Sequence, residues 1–109
     1  MQHRDKTIIV KVLSEIDIGY SMLGKATLEE FLDDEKLKRA VCMTVINIGE
    51  LIKNVTEDTR KEHPYVQWKA IAGMRDIAAH KYQTLRMEDV YQTVHADFPA
   101  LKGQLEKLI

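Results

Sequence analysis

The stretch Leu37-Lys38-Arg39-Ala40-Val41-Cys42-Met43-Thr44-Val45-Ile46-Asn47-Ile48-Gly49-Glu50-Leu51-Ile52-Lys53-Asn54-Val55 decides the fold. Leu37, Ala40, Val41, Thr44, Val45, Ile48, Ile52 and Val55 recur at steps of three and four residues, which predicts one long helix over about 35–55 with a continuous apolar face. Upstream, Ile9, Val12, Ile16, Tyr20 and Leu23 repeat the same steps, and Gly24 follows as a stop signal. Thr27-Leu28-Glu29-Glu30 reads as a capping box opening a short second segment. Downstream, Thr56 is placed to cap a brief turn through Arg60-Lys61-Glu62, and Pro64 disfavours helix at His63. A further helix fits 66–80 through Trp68, Ile71, Ala72, Met74, Ile77 and Ala78, with 82–86 as a connection. Helical signal returns from 88 to the end through Val90, Tyr91, Val94, Phe98, Leu101, Leu105 and Leu108, with Pro99 marking a kink or a fresh first turn.

No stretch alternates over strand length, and no internal repeat or linker divides the chain. The expectation is one all-α domain over 1–109, an up-down bundle of four longer helices plus short helical segments.

Composition narrows the function. The 109 residues hold one cysteine, Cys42, which can form no internal disulfide and falls inside the long apolar helix, where a buried small hydrophobe is the expected role. Apolar runs fall far short of the roughly 20 residues that cross a bilayer, and the first residues lead into an amphipathic stretch instead of a signal-peptide core. A cytoplasmic protein is therefore expected. A net charge of −1 argues against coating nucleic acid by bulk electrostatics, although the blocks 1–52, 53–82 and 83–109 carry −2, +2 and −1. The basic excess surrounds the helix over 66–80.

Phosphate-cradling, dinucleotide, zinc-protease and paired-cysteine signatures are all absent. Histidines at 3, 63, 80 and 95 form no i,i+4 pair, so no preformed zinc site is expected. Chemistry concentrates instead in Met74-Arg75-Asp76-Ile77-Ala78-Ala79-His80-Lys81-Tyr82. An arginine fork matches a phosphate bidentately, and a histidine exchanges protons near neutral pH, so Arg75 and His80 suit a phosphodiester. The plainer alternative is a helix-end histidine bonded to a carbonyl and an arginine in a surface ion pair. Asp76 is placed either to orient Arg75 or His80 or to pair with Lys69. Lys69 and Lys81 are candidate RNA contacts or solvated lysines, Trp68 is read as core or interface, and no role is assigned to Tyr65, Tyr91, His3, His63 or His95. Glu50 and Lys53, three apart on the long helix, read as an ion pair or a contact between copies.

Arg75-x4-His80-x-Tyr82, Ile48-Gly49-Glu50, His63-Pro64 with Trp68 and Ile71, and Gly73-Met74-Arg75-Asp76 together resemble the HEPN superfamily, and within it the HepT ribonuclease toxins of toxin–antitoxin pairs. Phe31-Leu32-Asp33-Asp34 resembles the family's second-helix segment, and the first helix matches in pattern alone. The resemblance implies a helical homodimer, open to further assembly, in which two Arg-x4-His motifs face one cleft. It implies cleavage of RNA through the substrate's 2′-OH, without a metal or cofactor. It also implies a nucleotidyltransferase antitoxin of the MntA type that adds AMP to Tyr82. A competing reading is a non-catalytic helical module that binds nucleotide or RNA beside such a nucleotidyltransferase.

Overall fold

The computed structural model describes residues 1–80 and 84–109, and for Arg75 and residues 77–80 it describes the backbone alone. The elements, in order, are α1 (His3–Leu23), α2 (Leu28–Leu32), α3 (Glu35–Lys53), α4 (Glu57–Glu62), α5 (Trp68–His80), α6 (Met87–Gln92), a π-helical turn (Thr93–Asp97) and α7 (Phe98–Glu106). Among the described residues there is no strand. The expected all-α architecture holds: α1, α3, α5 and the run from α6 through α7 are the four longer members, and α2 and α4 are the short extras. Among the described residues no helix is long and apolar enough to cross a membrane.

Local chemistry sets the boundaries. Gly24 ends α1 at φ 53°, a left-handed conformation that a side chain would strain, and its N–H donates to the Tyr20 carbonyl. The capping box is formed: the Thr27 hydroxyl accepts from the Glu30 N–H at 3.2 Å, and the Glu30 carboxylate accepts from the Thr27 N–H at 2.9 Å. Those bonds hold the Glu30 carboxyl below its usual pKa. Asp34 caps α3 by accepting from the Leu37 N–H, and Thr56 caps α4 by accepting from the Thr59 N–H. Pro99 stands in the first turn of α7, directly after the π-helical turn, where the Phe98 N–H reaches back five residues to the Thr93 carbonyl. A proline at 99 has no N–H for the carbonyl four residues back and crowds it, which gives that turn a reason to widen.

Ile9, Val12, Ile16 and Leu23 of α1 pack against Val41, Val45, Ile48 and Ile52 of α3, with Phe31, Val94, Phe98 and Leu105 closing the core. Tyr20 does not join it: it is 46% exposed, and Gly19 takes the inward position instead. The reason is space. A Cβ on Gly19 would lie 2.8 Å from Thr44 Cγ2 and 3.2 Å from Phe98 Cε2. Gly19→Ala is accordingly expected to lower stability by about 1 kcal/mol in urea unfolding, because overpacking against a stiff β-branched side chain outweighs the gain in helix propensity. Thr44→Ser, which removes the clashing methyl, should recover part of that loss in the double variant.

Asp5, fully buried at the start of α1, joins the two ends of the first half of the chain. Its carboxylate accepts from the Thr56 N–H at 3.0 Å, the Thr56 hydroxyl at 2.5 Å and the Thr59 hydroxyl at 2.6 Å. Arg60 then tethers α4 to the end of α3, donating to the carbonyls of Ile52 at 2.8 Å and Val55 at 3.2 Å. On the opposite side Tyr91 donates to the Ala26 carbonyl at 2.9 Å and lies between Phe31 and His95, stacked on the latter at 5.3 Å. Tyr91→Phe is expected to cost about 1 kcal/mol, the worth of one such bond.

Candidate active site

The site is built on α5, and α5 is anchored at its first residue. Trp68 is buried, and its indole N–H donates to the His63 carbonyl at 3.0 Å, so the ring is core and pins the preceding loop. Ile71 follows on the buried face, and Met74 packs half-buried against the core. Arg60, Trp68 and Lys69 share one surface pocket near the end of α3, while Met74 shares a cavity of about 170 Å³ with Cys42 and Val45 of α3 and with residues of α6. α5 therefore runs antiparallel along α3.

At 100° per residue, position 75 stands one and two turns beyond Ile71 and Trp68, in register with the face packed on α3. Asp76 is exposed and stands one turn before position 80, so the two positions neighbour each other on the helix surface. Lys69 is exposed two turns before Asp76 on that face, a rise of about 10.5 Å. Arg75 and His80 thus lie on the last two turns of α5 by their backbones. Their side chains, and the whole of Lys81 and Tyr82, lie outside the described residues.

Other candidates resolve as structural groups. Cys42 is buried, with its Sγ 3.9 Å from Met87 Sδ. Burial raises the thiol pKa above its usual value despite the opposing charge of Arg39, which suits packing and disfavours thiolate chemistry. Asp5, which the sequence reading passed over, is the one fully buried carboxylate among the described residues, but it faces threonines and not a cleft. Its signal was its phase, four residues before Ile9 on the inward face of α1. Gly73 is half-buried, yet among the described residues a Cβ there would meet nothing within 4 Å.

Comparison with known proteins identifies the family. The family model described as ribonuclease HepT-like matches residues 12–108. A protein named probable ribonuclease HepT from Thermococcus cleftensis is 32% identical over 108 residues, covering 99% of this chain and 98% of its own length. A provisionally named RNase from Methanocaldococcus jannaschii is 32% identical over 110 residues, covering all of this chain and 95% of its own length. Another, from Caldanaerobacter subterraneus, is 31% identical over 98 residues, 90% of this chain and 88% of its own length. No solved structure matches. A helical bundle of this order, the Arg75-x4-His80 spacing on its fifth helix and a family match across almost the whole length establish that the chain belongs to the HepT-like ribonuclease family.

Proposed function

We propose that the chain is a cytoplasmic, metal-independent endoribonuclease, the toxin of a toxin–antitoxin pair, acting as a homodimer. The observation that carries this reading is the Arg75-x4-His80 motif at the end of α5 in a chain of this family. Cleavage through the substrate's 2′-OH requires removal of that proton, protonation of the leaving 5′-oxygen and a cation at the phosphorane. One chain supplies one His80; two chains supply a base, an acid and two copies of Arg75. Asp76, one turn before His80, orients it, and Lys69, near the start of α5, and Lys81, next after His80 in sequence, contact phosphates. Tyr82 accepts AMP from an MntA-type nucleotidyltransferase, and the added charge beside His80 repels RNA.

Purified protein incubated with RNA in EDTA tests this directly: cleavage is expected. Intact RNA together with measurable RNA binding would replace the nuclease by the non-catalytic binding module. For the antitoxin, incubation with the nucleotidyltransferase and ATP is expected to add the mass of one AMP to the peptide carrying Tyr82 and to stop cleavage. A Tyr82→Phe variant that is still modified and silenced would remove Tyr82 from that role.

A further inference from the structure

A slot separates the first two turns of α5 from the C-terminal run. Gln67, Ile71 and Met74 line it on one side, and Thr93, Asp97, Phe98, Leu101 and Gln104 on the other, around a cavity of about 200 Å³. Its floor is apolar, since Ile71, Phe98 and Leu101 are all buried. Its rim is polar: Gln67 and Asp97 are exposed, and Thr93 and Gln104 are half-buried. Met74 and Thr93 also line the cavity beside Cys42, so they mark one end of the slot, with Gln67 and Gln104 at the other.

The rim groups are unused. Among the described residues, no hydrogen bond or ion pair engages the side chain of Gln67, Thr93, Asp97 or Gln104. Asp97 stands directly before α7, where an aspartate ordinarily accepts from N–H groups of the first turn. Here the π-helical turn runs into α7 without a break, the Thr93 carbonyl takes the Phe98 N–H, and the Asp97 carboxylate caps nothing. The same run puts Thr93, Asp97, Leu101 and Gln104 on one face, at steps of four, four and three.

That set of groups selects its ligand. A carboxylate only accepts hydrogen bonds, so it repels phosphate oxygens and the carbonyls of uracil and attracts amino groups. A glutamine offers one acceptor beside a donor, the pattern that matches N6 and N7 of adenine. An engineered apolar cavity of about 150 Å³ holds benzene, so this slot has room for a larger, fused ring. Proteins read RNA sequence through such unstacked bases, bonded at their edges. The location suits a substrate strand as well. Position 75 stands one residue beyond Met74 and one turn, about 6 Å, beyond Ile71, the scale of a single nucleotide.

We propose that the slot between α5 and the C-terminal run is a base pocket, taking one unpaired adenine of the RNA beside the scissile phosphate. The N6 amino group donates to the Asp97 carboxylate and to a glutamine carbonyl, whose amide donates to N7, while the ring lies on Ile71 and Leu101. The pocket deepens the proposed ribonuclease and rests on that reading for its ligand. Gln67, Asp97 and Gln104 determine specificity and leave the chemistry to the motif.

Fluorescence anisotropy with 2′-O-methyl hexanucleotides, which cannot be cleaved through the 2′-OH, tests the pocket without turnover. Wild type is expected to bind the all-adenine strand about tenfold more tightly than the all-uracil strand. Asp97→Asn and Gln67→Leu alter exposed side chains that hold nothing within the chain. Each should keep the far-UV spectrum and reduce that ratio to about threefold or less, through weaker adenine binding. Equal affinity of wild type for the two strands, no binding of either, or a ratio that survives both substitutions would overturn the proposal. Cleavage of the matching 2′-OH strands separates the two ideas. Cleavage with no base preference in binding removes the pocket and leaves the nuclease; an adenine preference lost in Asp97→Asn, with no cleavage, keeps the pocket and removes the nuclease.

Discussion

His80→Ala is expected to reduce metal-free RNA cleavage by about 10²–10⁴-fold, the usual worth of a positioned general acid or base. In the proposed homodimer the substitution removes both the base and the acid, so the effect belongs at the upper end of that range. Arg75→Ala should cost on the order of 10²–10³-fold, since it removes the cation that meets the developing phosphorane charge. Arg75→Lys is expected to restore little of this, because an ammonium cannot make the paired contact of a guanidinium with two phosphate oxygens. Wild-type cleavage should follow a bell-shaped pH profile, with one imidazole neutral and the other protonated. Cleavage by His80→Ala at the original rate, with the far-UV spectrum confirming the fold, would reassign the chemistry to other residues.

The largest expected stability effect belongs to Asp5. Asp5→Ala leaves the Thr56 N–H and the Thr56 and Thr59 hydroxyls without their buried acceptor. A loss of about 3 kcal/mol is expected, lowering the melting temperature by on the order of 15 °C. Burial by itself would raise this carboxyl's pKa. The hydroxyls of Thr56 and Thr59, the Thr56 N–H and the charge of Arg4 together outweigh burial and hold the pKa below the usual aspartate value. Because the folded pKa is depressed, the stabilisation is complete above the unfolded value and is lost as pH falls through the folded one. Acid unfolding in that window is expected to be less steep in Asp5→Asn, which keeps an acceptor for the Thr56 N–H but cannot titrate. An acid limb identical to wild type would show that other carboxylates control it.

The helices were legible because apolar periodicity and caps are local. Gly24, the Thr27–Glu30 box and Thr56 could be read from neighbours a few residues away. What escaped was set by distant partners. Asp5 carries a charge, so its place in phase with Ile9 and Val12 did not register as inward until Thr56 and Thr59 were beside it. Tyr20 fitted the apolar spacing of α1, but no single-helix pattern reveals that α3 and Phe98 approach too closely there for anything but Gly19. Tyr91 had no assignable role because its acceptor, the Ala26 carbonyl, lies 65 residues back. For the site, the Arg75-x4-His80 spacing and family likeness were plain in the sequence. The packing of α5 along α3, which positions the motif, was not, since it depends on contacts between residues distant in sequence.

The contact between Cys42 and Met87 has a practical consequence. The chain's one thiol is buried and its ionisation suppressed, so a thiol reagent is expected to attack it slowly while α6 stays packed beside α3. Its labelling rate in native buffer is thus a built-in clock for the opening of that contact, requiring no engineered probe. Denaturant-insensitive labelling would report local lifting of α6, and a steep denaturant dependence would report global unfolding.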